Sequence, residues 1–103
     1  MPVVCSVTSI NNDESKGYKV GDQRLVLVKK NEQLFLYENM CPHLGINLEY
    51  VEDEYLDPNK SFIQCANHGA LFKIDTGECV MGPCKGQWLR SIPFSIEDDN
   101  VVI

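Results

Sequence analysis

At 103 residues, with 44% hydrophobic and 23% charged side chains, the chain has the composition of one ordinary soluble domain (1–103), large enough to bury a modest core without disulfide staples. Fifteen Asp and Glu against nine Lys and Arg leave a formal net charge of −6, which argues against nucleic acid and acidic membrane surfaces as partners, because both are bound through cationic patches. The N-terminus lacks a basic stretch followed by an apolar core, and no apolar run approaches the length of a membrane span, so the expectation is a cytoplasmic protein with no membrane segment.

In chain order, the β-branched run at 3–10 (VVCSVTSI) predicts a strand, with Cys5 as a small buried side chain inside it. Residues 17–20 predict a short edge strand before the Gly21-Asp22 turn. The runs RLVLVKK (24–30) and QLFLY (33–37) alternate with period two and flank the polar Asn31-Glu32, which predicts a hairpin leading into the motif CPHLG at 41–45.

Residues 49–58 carry five carboxylates and no basic residue, and Pro58-Asn59 marks a turn. The run SFIQ (61–64) predicts the strand that delivers a second motif, CANHG at 65–69. Residues 70–74 predict a further strand, followed by the turn DTGE at 75–78, and residues 79–84 (CVMGPC) read as an irregular loop. Strand character resumes over 89–96, with Pro93 at an edge or bulge, and residues 101–103 close the chain as a short strand. No segment sustains a 3.6-residue apolar period, so the fold class is all-β, a small antiparallel sandwich or barrel.

Five cysteines in such a chain point to metal ligands or buried thiols rather than a disulfide framework. The motifs at 41–45 and 65–69 each offer one thiol and one imidazole, a donor set that selects zinc, iron–sulfur or copper over hard cations. Zinc modules usually pair Cys with Cys and His with His on separate knuckles. Here each loop mixes the two. If equivalent positions bind the same metal, both Cys serve one and both His another, which is the ligand arrangement of a Rieske-type cluster.

CPHLG followed by CANHG, with Gly82-Pro83 further on, resembles the Rieske iron–sulfur family from roughly residue 34 to the C-terminus, with the cluster-binding part at about 38–86. The resemblance implies one 2Fe-2S cluster held by Cys41 and Cys65 on one iron and His43 and His68 on the other. It further implies that Gly45 and Gly69 allow tight turns around the cluster and that Leu44 and Pro83 shield it from water.

The respiratory branch of that family has an additional cysteine in each loop and hydroxyl donors beside the cluster. The matching positions here are Ile46, Asn67, Ala70 and Phe72, so no disulfide can join the loops, and a low midpoint potential, about −150 mV, is expected. Cys79 and Cys84 are expected to be free thiols.

The chain has no mononuclear iron, flavin or nucleotide motif, so the resemblance implies an electron carrier without catalysis of its own. It is similar to the ferredoxins of bacterial aromatic-ring dioxygenase systems, which imply a flavin-dependent reductase and a terminal oxygenase as partners and a monomeric carrier. The acidic residues at 49–57 and 97–99 suit docking to basic surfaces on those partners. Two alternatives stand beside it: a small Rieske-fold subunit of a nitrite-reductase-like enzyme, and a zinc-binding interaction module.

Overall fold

A computed structural model describes residues 2–40, 55–65, 69–82 and 84–103. Their strands are β1 (Val3–Ser6), β2 (Glu14–Val20), β3 (Gln23–Lys30), β4 (Gln33–Glu38), β5 (Phe62–Gln64), β6 (Leu71–Lys73), β7 (Cys79–Met81), β8 (Ser95–Glu97) and β9 (Asn100–Val102). They form three antiparallel three-stranded sheets, in the orders β1-β9-β8, β2-β3-β4 and β5-β6-β7.

Strand β3 explains how the sheets are layered. Leu25, Val26, Leu27 and Val28 are all fully buried, so this strand is covered on both faces. Leu25 and Leu27 join Ile10, Leu36 and Ile92 in one core. Val26 and Val28 face the other way, into a core with Tyr37, Tyr55, Ile63, Cys65, Ala70 and Phe72. The second core therefore joins the central sheet to the sheet β5-β6-β7, which carries the second Cys/His motif.

The β3–β4 and β8–β9 connections are two-residue turns in which both central residues have positive φ: Asn31 and Glu32 at 52° and 64°, Asp98 and Asp99 at 52° and 62°. This left-handed pair matches the twist of the flanking strands, and short polar side chains tolerate it best.

Four local expectations are corrected. The first strand stops at Ser6, whose Oγ accepts from Thr8 N and opens a 3-10 turn over Val7–Ser9. Cys5 is half-buried rather than buried. The edge strand β2 is longer than 17–20, because the polar residues from Glu14 onward pair with β3 along their whole length. Residues 79–81 are a strand, not a loop: Cys79 pairs with Phe72 and Met81 with Leu71, with a register shift between them.

Residues 89–96 are less regular than expected. Glu38 N donates to Arg90 O at 2.9 Å and Ile92 N to Leu36 O at 3.0 Å, so this stretch lines the open edge of β4 only as far as Pro93, which has no N–H to continue the ladder. The acidic stretch at 49–54 lies outside the described residues.

Tyr37 ties the central sheet to the motif-bearing one: its buried hydroxyl donates to Ile74 O at 2.6 Å. Burial, and then the nearby Asp75 carboxylate, push its pKa from 10.0 up to about 12. Since the folded value is raised, this contribution to stability is fully present below pH 10.0 and is lost as pH rises towards about 12. Urea midpoints measured across that window are expected to fall with pH, and Tyr37→Phe should flatten the fall. An equally steep decline in the variant would assign it to another group.

Candidate metal centre

The second motif is built from the turn that precedes β5. Asp57 Oδ1 accepts from Ser61 N and Phe62 N, each at 2.8 Å, and Asp57 N donates to Phe62 O at 3.0 Å, so the carboxylate organises the predicted Pro58-Asn59 turn. Burial works to raise the Asp57 pKa, but these backbone donors outweigh it and hold the group below the ordinary carboxylate value.

Strand β5 then delivers Cys65, whose residue is 0% exposed. Cys65 N donates to Ala70 O at 2.8 Å and closes the 65–70 loop at its base. Gly69 completes the return with φ +65, a conformation that costs other residues energy. The Gln64 amide reaches over this turn, its Nε2 3.9 Å from where a Cβ on Gly69 would sit.

Strand β7 brings a third loop onto the second. Gly82 has φ +104, and a Cβ there would lie 2.8 Å from Ala70 Cα and 3.0 Å from Ala70 Cβ. The backbone entering the predicted proline loop therefore rests directly on the residue that closes the 65–70 loop. This contact was not visible in the sequence; its signal was a glycine immediately before Pro83.

Ala70 and Phe72 are both fully buried in the core that contains Cys65, and neither carries a hydroxyl. Cys79 and Cys84 are buried in that same core with no disulfide between them, and Cys79 Sγ donates to Met81 O at 3.3 Å. The expectation of a free thiol thus holds for Cys79.

Of the predicted site residues, the structure describes Cys65 and Gly69, and it brings them together with Ala70 and Gly82. Cys41, His43, Leu44, Gly45, His68 and Pro83 lie outside the described residues, as do Ile46 and Asn67. Among the described residues no group of three or more His, Cys, Asp or Glu converges on a metal position. A buried thiol directly after a strand, in a largely apolar core, suits a thiolate ligand of an iron–sulfur cluster. The donor set of two thiols and two imidazoles suits a cluster of mixed ligation.

Small antiparallel sheets with Cys65 rooted in a buried core, in a chain whose sequence holds two Cys/His motifs, fit an iron–sulfur domain. The chain belongs to the family described as Rieske [2Fe-2S] domain, whose family model matches residues 1–93. The match includes β1 to β3, so it extends well beyond the stretch from residue 34 that carried the resemblance. The bound group is accordingly one Rieske-type 2Fe-2S cluster, and the zinc-module alternative is set aside.

A ferredoxin of Sphingomonas yanoikuyae B1 superposes with a TM-score of 0.81 at 28% identity, covering 99% of this chain and 95% of that one. The ferredoxin component of the alkene monooxygenase system of Xanthobacter autotrophicus is 27% identical over 100 residues, 97% of this chain and 77% of that protein. The cytochrome b6-f complex iron-sulfur subunit of Chlorobaculum thiosulfatiphilum is 28% identical over 100 residues. This chain spans about half the length of that subunit, 51%. Among the described residues no helix is long and apolar enough to cross a membrane.

Proposed function

We propose that the protein is a low-potential one-electron carrier, reduced by a flavin-dependent reductase and oxidised by a terminal oxygenase. Cys41 and Cys65 would hold one iron of the cluster and His43 and His68 the other, and the cluster supplies a one-electron couple when bound. Similarity to two ferredoxins, one a component of a monooxygenase system, supports a carrier role over a catalytic one.

The observation that carries the potential is the surroundings of Cys65. Cys65 is fully buried, and the two positions of its core that match the hydroxyl donors of the respiratory branch are Ala70 and Phe72, which carry no hydroxyl. Hydrogen bonds to cluster and ligand sulfurs stabilise the reduced, more negative state, so the absence of hydroxyls at those two positions favours the oxidised state and lowers the potential.

A spectroscopic redox titration is expected to give a midpoint near the low end of the Rieske range, about −150 mV rather than about +300 mV. Phe72→Tyr should raise it. A clearly positive midpoint in the wild-type protein would refute the low-potential reading. The net charge of −6 supports docking on basic partner surfaces, and such steering predicts that electron delivery to the oxygenase slows as salt is added.

A further inference from the structure

We propose that Asn39 and Tyr55 form a positioning pair that fixes the first ligand loop against the second. The inference rests on the assignment of Cys41 and His43 as ligands. It starts from a hydrogen bond between two buried side chains far apart in sequence: Asn39 Nδ2 donates to Tyr55 Oη at 3.1 Å. Asn39 immediately follows β4, and its N–H donates to Arg24 O at 2.8 Å, so its backbone is fixed to β3.

Tyr55 is held from two further sides. Its N–H donates to Ser15 Oγ of β2 at 3.1 Å, and its carbonyl accepts from Gln64 N of β5 at 2.7 Å. Gly17 of β2 makes room for the ring: a Cβ there would overlap the Tyr55 hydroxyl and lie 3.2 Å from Cζ. Glycine weakens a strand interior, and close approach by another group accounts for it here.

The connectivity gives this node its role. The chain leaves the central sheet at Asn39 and returns at Tyr55, so residues 40–54, with Cys41 and His43 among them, start and finish at one hydrogen-bonded point. Gln64, bound to the same tyrosine, directly precedes Cys65. One buried residue thereby references both halves of the ligand set to the same place. A phenylalanine would fill the same volume, so the hydroxyl and its amide partner can be tested apart from packing.

The test uses the holoprotein. Tyr55→Phe removes the hydroxyl that accepts from the Asn39 amide. Loss of visible absorbance in the presence of an iron chelator should then become about tenfold faster, the factor that corresponds to about 1.4 kcal/mol. The EPR lines of the reduced protein should broaden. Asn39→Ala added to Tyr55→Phe should bring little further change, because the pair acts as a unit.

Gly17→Ala retains both polar groups but displaces the ring, and should reproduce the lability even if Tyr55→Phe folds poorly. Wild-type chelation rate and line shape in Tyr55→Phe and Gly17→Ala would overturn the proposal, as would a drop in melting temperature with no change in either. If Cys41→Ser retains an unaltered cluster, the ligand assignment fails instead, and that outcome is read independently of the pair.

Discussion

Cys65→Ser is expected to abolish the visible absorbance and the reduced-state EPR signal, whereas Cys79→Ala and Cys84→Ala keep full iron and sulfide content. All three thiols are buried, and all three line the same core, so burial does not separate ligand from bystander. Position does. Cys65 directly follows β5, and its own N–H bonds Ala70 O, while Cys79 begins β7 and spends its S–H on Met81 O. A serine hydroxyl has nearly the size of the thiol but gives up neither its proton nor its electron density as a thiolate does, so the loop survives and the iron–sulfur bond does not. The two alanine variants lose packing, and Cys79→Ala also loses its bond to Met81 O, at a cost of about 1–2 kcal/mol each. Iron and acid-labile sulfide assays decide the matter. Normal cluster content in Cys65→Ser, or its loss in Cys79→Ala, would reverse the assignment.

The contrast among these cysteines shows what was legible before any coordinates. The paired CxH and CxxH motifs are local patterns whose chemistry is carried by residue type and spacing, and they were readable directly. So was the alternation of β3 and β4, because a period-two pattern is also local. The division of β3 between two cores was not: Leu25 and Val26 are equally apolar, and only the placement of the other sheets decides which faces which.

Residues 79–81 read as a loop because Gly82 and Pro83 follow at once and signal a break, although the strand is complete before them. The polar start of β2 hid a strand whose backbone pairs in full while several of its side chains meet solvent. The node of Asn39, Tyr55 and Gly17 was invisible for a different reason. It joins three segments through one hydroxyl and one missing methyl group, and neither has a sequence signature. Those contacts are long-range, so the motif was legible and its proposed support was not.

Gly82→Ala tests that support with the second large expected effect. The substitution carries two costs. At φ +104 an L-residue is strained by about 1–3 kcal/mol. Its Cβ would also press on Ala70 Cα from 2.8 Å, a backbone atom that cannot swing aside, since Ala70 is fully buried and its carbonyl holds Cys65 N at 2.8 Å. Relief therefore requires the Gly82 backbone to lift away from Ala70, which would disturb the proposed shielding of the cluster by Pro83.

Gly86 separates the two costs within the same chain. It has φ +93, yet a Cβ there meets nothing within 4 Å, so Gly86→Ala carries the strain without the contact. Gly86→Ala is expected to lower the melting temperature by the strain alone, about 4–8 °C per kcal/mol for a domain of this size. Gly82→Ala should lower it by more than about 10 °C and hasten cluster loss in air. Adding Ala70→Gly removes the Cβ on the other side of the contact and should recover part of the cluster lifetime, though not all of it, because the approach to the Ala70 backbone remains. Equal effects of Gly82→Ala and Gly86→Ala on cluster lifetime would mean that strain alone matters and that the contact of Gly82 with Ala70 has no part in retaining the cluster.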